Sequence, residues 1–137
     1  MVWITFVALV QAASMPMTTV ADGQSSGITE PKQAIVRTAA EWNTLWKSHA
    51  GSQMPPTIDF TKEMVVAVFL GERPTGGFRV QILDTRRDGN ALIVRYSERR
   101  PGPDSIVTQA LTSPFHIVRV QRHEGPVRFE RSDGPGK

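Results

Sequence analysis

The chain contains no cysteine. That excludes disulfides, thiolate metal sites, a cysteine nucleophile and a lipid-modified cysteine near the N-terminus. Histidine is also scarce: His49, His116 and His123 lie far apart, and none has metal-ligand spacing to another histidine or carboxylate. There is no G-x-S-x-G elbow and no glycine loop ending in G-K-[ST]. Carboxylates do not pair up on one strand face; Asp84, Glu98 and Glu130 have arginine neighbours instead. No apolar run is long enough to span a membrane as a mature helix. An enzyme is therefore not expected, and neither is a metal or cofactor site.

What is present fits one domain. The chain has 137 residues, 39% hydrophobic and 21% charged, enough for a real core. Net charge is +3 and unevenly placed: residues 1–70 carry four Lys/Arg and five Asp/Glu, residues 71–137 twelve and eight. Twelve of the sixteen basic residues are arginine, the better residue for bidentate contacts with carboxylates or phosphates. They are interleaved with acids, and no recognition-helix, zinc or RNA-platform motif accompanies them, so nucleic acid is not an expected partner.

The start, "MVWITFVALVQAASM", has an apolar run over residues 2–10 followed by Ala12, Ala13 and Ser14. It resembles the end of a secretory signal peptide, although no Lys or Arg precedes the run. Residues 1–13 are accordingly expected to be a partial signal, which implies a periplasmic or extracellular protein. The small, polar residues 14–31 read as a flexible lead-in. The β-rich domain is expected over 32–132, followed by a disordered tail over 133–137.

Within that domain "KQAIVRT" reads as a strand. Thr38 then N-caps a helix, with Glu41 completing a capping box. Trp42, Leu45, Trp46 and His49 form one stripe at helical spacing. His49, near the helix end, is expected to be a dipole partner. "EMVVAVFLG" is a continuous β-branched run, so it reads as a central strand covered on both faces. "FRVQILDTRR" and "ALIVRYSERR" flank an Asp88-Gly89 hairpin signal. "IVTQAL", "TSPFHIVRVQR" and "VRFER" are further strand candidates, and His116 reads as a satisfied strand-face histidine. The fold class is mainly β (α+β): an antiparallel β-sandwich or barrel-like sheet of about six strands with one N-terminal amphipathic helix.

The stretch "GERPTGGF" falls between two strands. Pro74 fixes φ at the second turn position, Thr75 suits the third, and Gly76 can take φ > 0. A rigid hairpin tip follows, presenting Arg73, Pro74, Thr75, Gly76 and Gly77 with Phe78 anchoring behind. The loop "RRPGPD", with Arg99, Arg100 and Pro101, is the second candidate contact surface.

Together "MVVAVFLGERPTGGFRVQI", "LIVRYSERRPGPDSIVTQALTSPFHIVRV" and "GPVRF" resemble the PrcB C-terminal domain family. The likeness runs from about Ile35 to Phe129. It implies an exported β-rich domain and, because the founding member is a protease-complex subunit, a protein partner that is a protease or its assembly. Pro74, Thr75, Gly77 and Phe78 are also similar to the P-T-T-G-Y loop of chagasin-type protease inhibitors, which insert loops into a protease cleft. A structural envelope protein using an arginine-rich face against anionic polymer or lipid is the third expectation.

Overall fold

A computed structural model describes residues 14–132. The expected signal segment and the expected tail lie outside these residues. Seven strands and one helix follow in order: β1 (Met17–Gly23), β2 (Lys32–Val36), α1 (Ala39–Ala50), β3 (Glu63–Phe69), β4 (Arg79–Asp88), β5 (Ala91–Arg99), β6 (Phe115–Gln121) and β7 (Val127–Arg131). They form a four-stranded sheet, β1-β6-β3-β2, and a three-stranded sheet, β4-β5-β7.

Two apolar layers hold three layers of structure together. Met64, Val66 and Val68 of β3, with Val118 and Val120 of β6, pack against Val80, Ile82, Leu92 and Val94 of the smaller sheet. The alternate residues Val65, Ala67, Phe69, Phe115 and Ile117 face the other way, against Trp42, Leu45 and Trp46 of α1. β3 and β6 are thus covered on both faces, which is why their sequences run apolar without alternation. The mainly β expectation holds, in sandwich-like form.

Local chemistry explains the helix. The Thr38 hydroxyl accepts the Glu41 amide at 3.1 Å, and the Glu41 carboxylate reaches back to the Arg37 amide at 3.0 Å. The chain leaves at Gly51 with φ 65°, whose amide bonds the Lys47 carbonyl. Trp42, Leu45, Trp46 and His49 are its buried residues.

Five expectations are corrected. Residues 17–23 are not a flexible lead-in but strand β1, paired in register from Met17↔Val120 to Gly23↔Phe115, so the folded unit begins before residue 32. Their polarity reflects an edge position, where one side of the strand meets water. The helix is not N-terminal, since β1 and β2 precede it. The sandwich is not wholly antiparallel: β7 pairs parallel to β5 because the chain crosses to β6 and back before reaching it. "IVTQAL" forms no strand, and Ile106 is fully exposed. His49 is buried, its Nδ1 lies 2.8 Å from the Ser26 hydroxyl, and burial lowers its pKa, so it is a neutral core group rather than a cationic dipole partner.

Candidate functional site

β3 and β4 lie in different sheets, so "GERPTGGF" is not a hairpin tip. Residues 70–78 cross from the larger sheet to the smaller one, and residues 100–114 cross back to β6. The β4–β5 hairpin, turned by Gly89 at φ 63°, lies between the two crossings in the chain. The crossings run side by side and are stitched together. Arg73 and Thr112 exchange both backbone hydrogen bonds, at 2.7 and 2.9 Å. The Gly76 amide donates to the Thr108 carbonyl at 2.8 Å, and the Leu70 amide to the Pro114 carbonyl at 3.0 Å. The Thr112 hydroxyl donates to the Thr75 carbonyl at 2.8 Å. The two candidate segments therefore meet at one end of the molecule.

They meet in a way that changes the role of several residues. Positive φ falls on Gly77, at 89°, rather than on Gly76. A Cβ at Gly77 would sit 2.8 Å from both Pro101 Cβ and Val107 Cγ1, so this glycine lets the crossings touch. Arg73 is not presented to solvent. Its guanidinium donates from Nε and Nη2 to Glu98 Oε2 at 3.2 and 3.1 Å, and from Nη1 to the Leu70 carbonyl at 3.0 Å. It also lies 5.8 Å from the Phe78 ring centroid. The Glu98 side chain is fully buried and also engages Arg131 at 2.8 Å and Arg100 at 3.7 Å. Glu98 is the last inward-facing residue of β5, so its carboxylate plugs the open end of the sandwich and needs these cations. Thr75 is partly buried and Phe78 half-buried, while Pro74, Arg99 and Arg100 remain exposed.

Sequence reasoning missed two residues of this loop end. Ile106 is fully exposed and Leu111 is 66% exposed, on a segment tied to its neighbour by the bonds above. Assigning residues 106–111 to a strand hid them. The signal that could have found them is the proline-glycine loop just before, which sets no register for a strand.

On the outer face of the smaller sheet a groove of about 590 Å³ is lined by Arg79, Gln81, Ser97, Arg99, Arg100, Arg131 and Ser132, among others. Arg79 and Arg99 stand directly opposite each other in register. Elsewhere the face is neutralised by pairs: Arg95 with Asp84, Arg86 with Glu130, and Arg128 with Asp88.

The remaining histidines are structural. The Ile82 amide donates to His116 Nδ1 at 2.8 Å, which leaves the ring proton on Nε2, 2.9 Å from the Thr19 hydroxyl. Burial lowers the His116 pKa, in keeping with a neutral ring that bridges β1 to β4. Nε2 of His123 sits 3.0 Å from the Asn90 carbonyl. Among the described residues no group of three or more His, Asp or Glu could hold a metal, and no helix is long and apolar enough to cross a membrane.

Fold and site thus define a mainly β domain of two packed sheets, with its loops stitched at one end. Residues 64–121 match the model of the family described as PrcB C-terminal. The matched stretch is the inter-sheet unit, from β3 through both crossings to β6. No curated protein and no solved structure gives a significant match.

Proposed function

We propose that the protein is a non-catalytic, exported binding domain that docks on a protein partner, a protease or its assembly, through the stitched loop end. One observation carries the choice of surface. Ile106 and Leu111 are large apolar side chains held in water on a loop that is tied to the neighbouring crossing at Thr108 and Thr112. A fixed loop loses little entropy on docking, and an exposed aliphatic anchor gains by entering a partner's pocket. Pro74, Arg100 and Pro101 lie on the same two crossings. The protease part of the reading rests on the family, and export rests on residues 2–14.

The inhibitor reading has less support. A wedge loop must stand clear of its scaffold, whereas Thr75, Gly76 and Phe78 are tied to residues 108–112 or lie beneath Arg73.

Capture from a periplasmic extract tests the proposal. Wild type is compared with Ile106→Asp/Leu111→Asp, a change at exposed positions that should leave the melting temperature within about 2 °C, as surface substitutions usually do. Loss of a specific partner in the variant is expected. An identical partner set would overturn the surface assignment. A panel of serine and cysteine proteases assayed with the pure protein checks the inhibitor alternative, and no inhibition is expected.

A further inference from the structure

Arg79 and Arg99 are cross-strand neighbours on the outer face of the β4–β5 hairpin. Directly opposed like charges repel, and sheets normally avoid them. A β-bulge between Ile82 and Asp84 creates the opposition: counted evenly from the Asp88↔Ala91 pair, Arg79 would face Arg100 instead. Both side chains are exposed, and neither has an acidic partner among the described residues. The one carboxylate lining the groove, Glu98, is fully buried and already engaged by Arg73 and Arg131. The groove therefore presents uncompensated positive charge beside the neutral hydrogen-bonding groups of Gln81, Ser97 and Ser132.

We infer that this groove is a carboxylate-binding site for an acidic protein segment. Its extent decides the class of ligand. A nucleic acid or an anionic lipid surface needs a charge field that runs along the molecule. Here the positive field is local, because the adjoining arginines of the same sheet are paired with Asp84, Glu130 and Asp88. Two guanidinium forks side by side match two neighbouring carboxylates, each able to accept a bidentate bond. A volume of about 590 Å³ holds one or two such side chains rather than a long polymer. The inference extends the docking reading by naming a chemistry for the partner, but it stands on Arg79 and Arg99 rather than on Ile106 and Leu111.

The test titrates the full chain with a fluorescent peptide of four consecutive glutamates flanked by glycines, followed by anisotropy. The glutamine version of the peptide, inorganic phosphate and vesicles of anionic phospholipid are the comparison probes. Saturable binding of the glutamate peptide alone is expected, weakened at least tenfold by Arg79→Gln/Arg99→Gln. The control Arg86→Gln/Arg128→Gln removes the same charge from the same face and should change binding less than twofold. Equal weakening by both doubles would reduce the effect to net charge and overturn the site. So would absence of saturable binding, or stronger binding of phosphate or vesicles. The melting temperature of Arg79→Gln/Arg99→Gln should hold or rise as the repulsion is relieved; a marked fall would mean the arginines are structural and would also overturn the proposal. Partner capture through Ile106 and Leu111 can succeed or fail whatever this titration shows, so the two readings are separable.

Discussion

Replacing Glu98 by Gln should cost stability out of proportion to the loss of one surface charge. The Glu98 side chain is fully buried, and three arginines converge on it at 3.1 Å (Arg73), 2.8 Å (Arg131) and 3.7 Å (Arg100). Gln keeps the volume but withdraws the negative charge, leaving cations at the sandwich end without their counter-ion. Removing one partner of a fully buried pair costs about 3–5 kcal/mol. The arginine side chains are 23%, 43% and 68% exposed in that order, so water offsets part of this. A loss of about 2–3 kcal/mol is the expectation. Urea unfolding followed by tryptophan fluorescence reads it as a lower midpoint at unchanged slope. Arg73→Gln and the double variant complete a cycle, and a coupling above about 1 kcal/mol is expected for residues that share hydrogen bonds. A loss below about 0.5 kcal/mol, the scale of an ordinary surface change, would refute the reasoning: Arg73 would then be held for a partner rather than for Glu98.

The remaining predictions use the same measurement. Gly77→Ala should cost roughly 2 kcal/mol or more, since alanine meets both a left-handed φ of 89° and two carbons at 2.8 Å; a neutral result would mean the crossings are not in contact. Thr38→Ala should cost about 1 kcal/mol through the lost cap, and Thr38→Ser should restore most of it. Burial lowers the pKa of His49 and of His116 below the ordinary 6.5. Their contribution is therefore complete above about pH 6.5 and is lost as pH falls below it, with a slope of up to about 1.4 kcal/mol per unit for each ring. His116→Gln should flatten the stability profile between pH 6.5 and 5, where the carboxylates with lowered pKa, Glu41, Asp59 and Glu124, have yet to titrate. An unchanged profile in that variant would show that His116 ionises as freely in the folded state as in the unfolded one.

The apolar periodicities made most of the elements legible. The run over β3 announced a strand covered on both sides, the stripe from Trp42 to His49 announced a buried helix face, and Asp88-Gly89 announced the hairpin. Three things escaped because they are decided across the sequence rather than along it. Strand β1 carries no apolar run of its own; it exists because β6 offers it a free edge. The parallel placement of β7 follows from the route of the chain through the other sheet. The opposition of Arg79 and Arg99 depends on one bulged position, and an even count outward from the turn gives another partner.

The loop end shows the same division in the candidate site. Pro, Thr and Gly in "GERPTGGF" signalled a turn, and local chemistry alone cannot say whether the flanking strands share a sheet. Once they belong to different sheets, the stretch becomes one of two crossings laid side by side, and its demands change. Arg73 must reach the buried Glu98, and Gly77 must let Pro101 and Val107 approach. Those demands are met inside the molecule, so this stretch, which lies within the matched residues, reports on how the domain is closed. On the proposed reading, contact with a partner falls to side chains that closure does not use, namely Ile106 and Leu111 on the second crossing, and Arg79 and Arg99 on the adjoining sheet face. On that partition, substitutions at Arg73 and Gly77 will lower stability and binding together, whereas those at Ile106, Leu111, Arg79 and Arg99 will lower binding alone. Partner capture and urea midpoints measured on one set of variants decide it, and a stability loss in the second group would collapse the distinction.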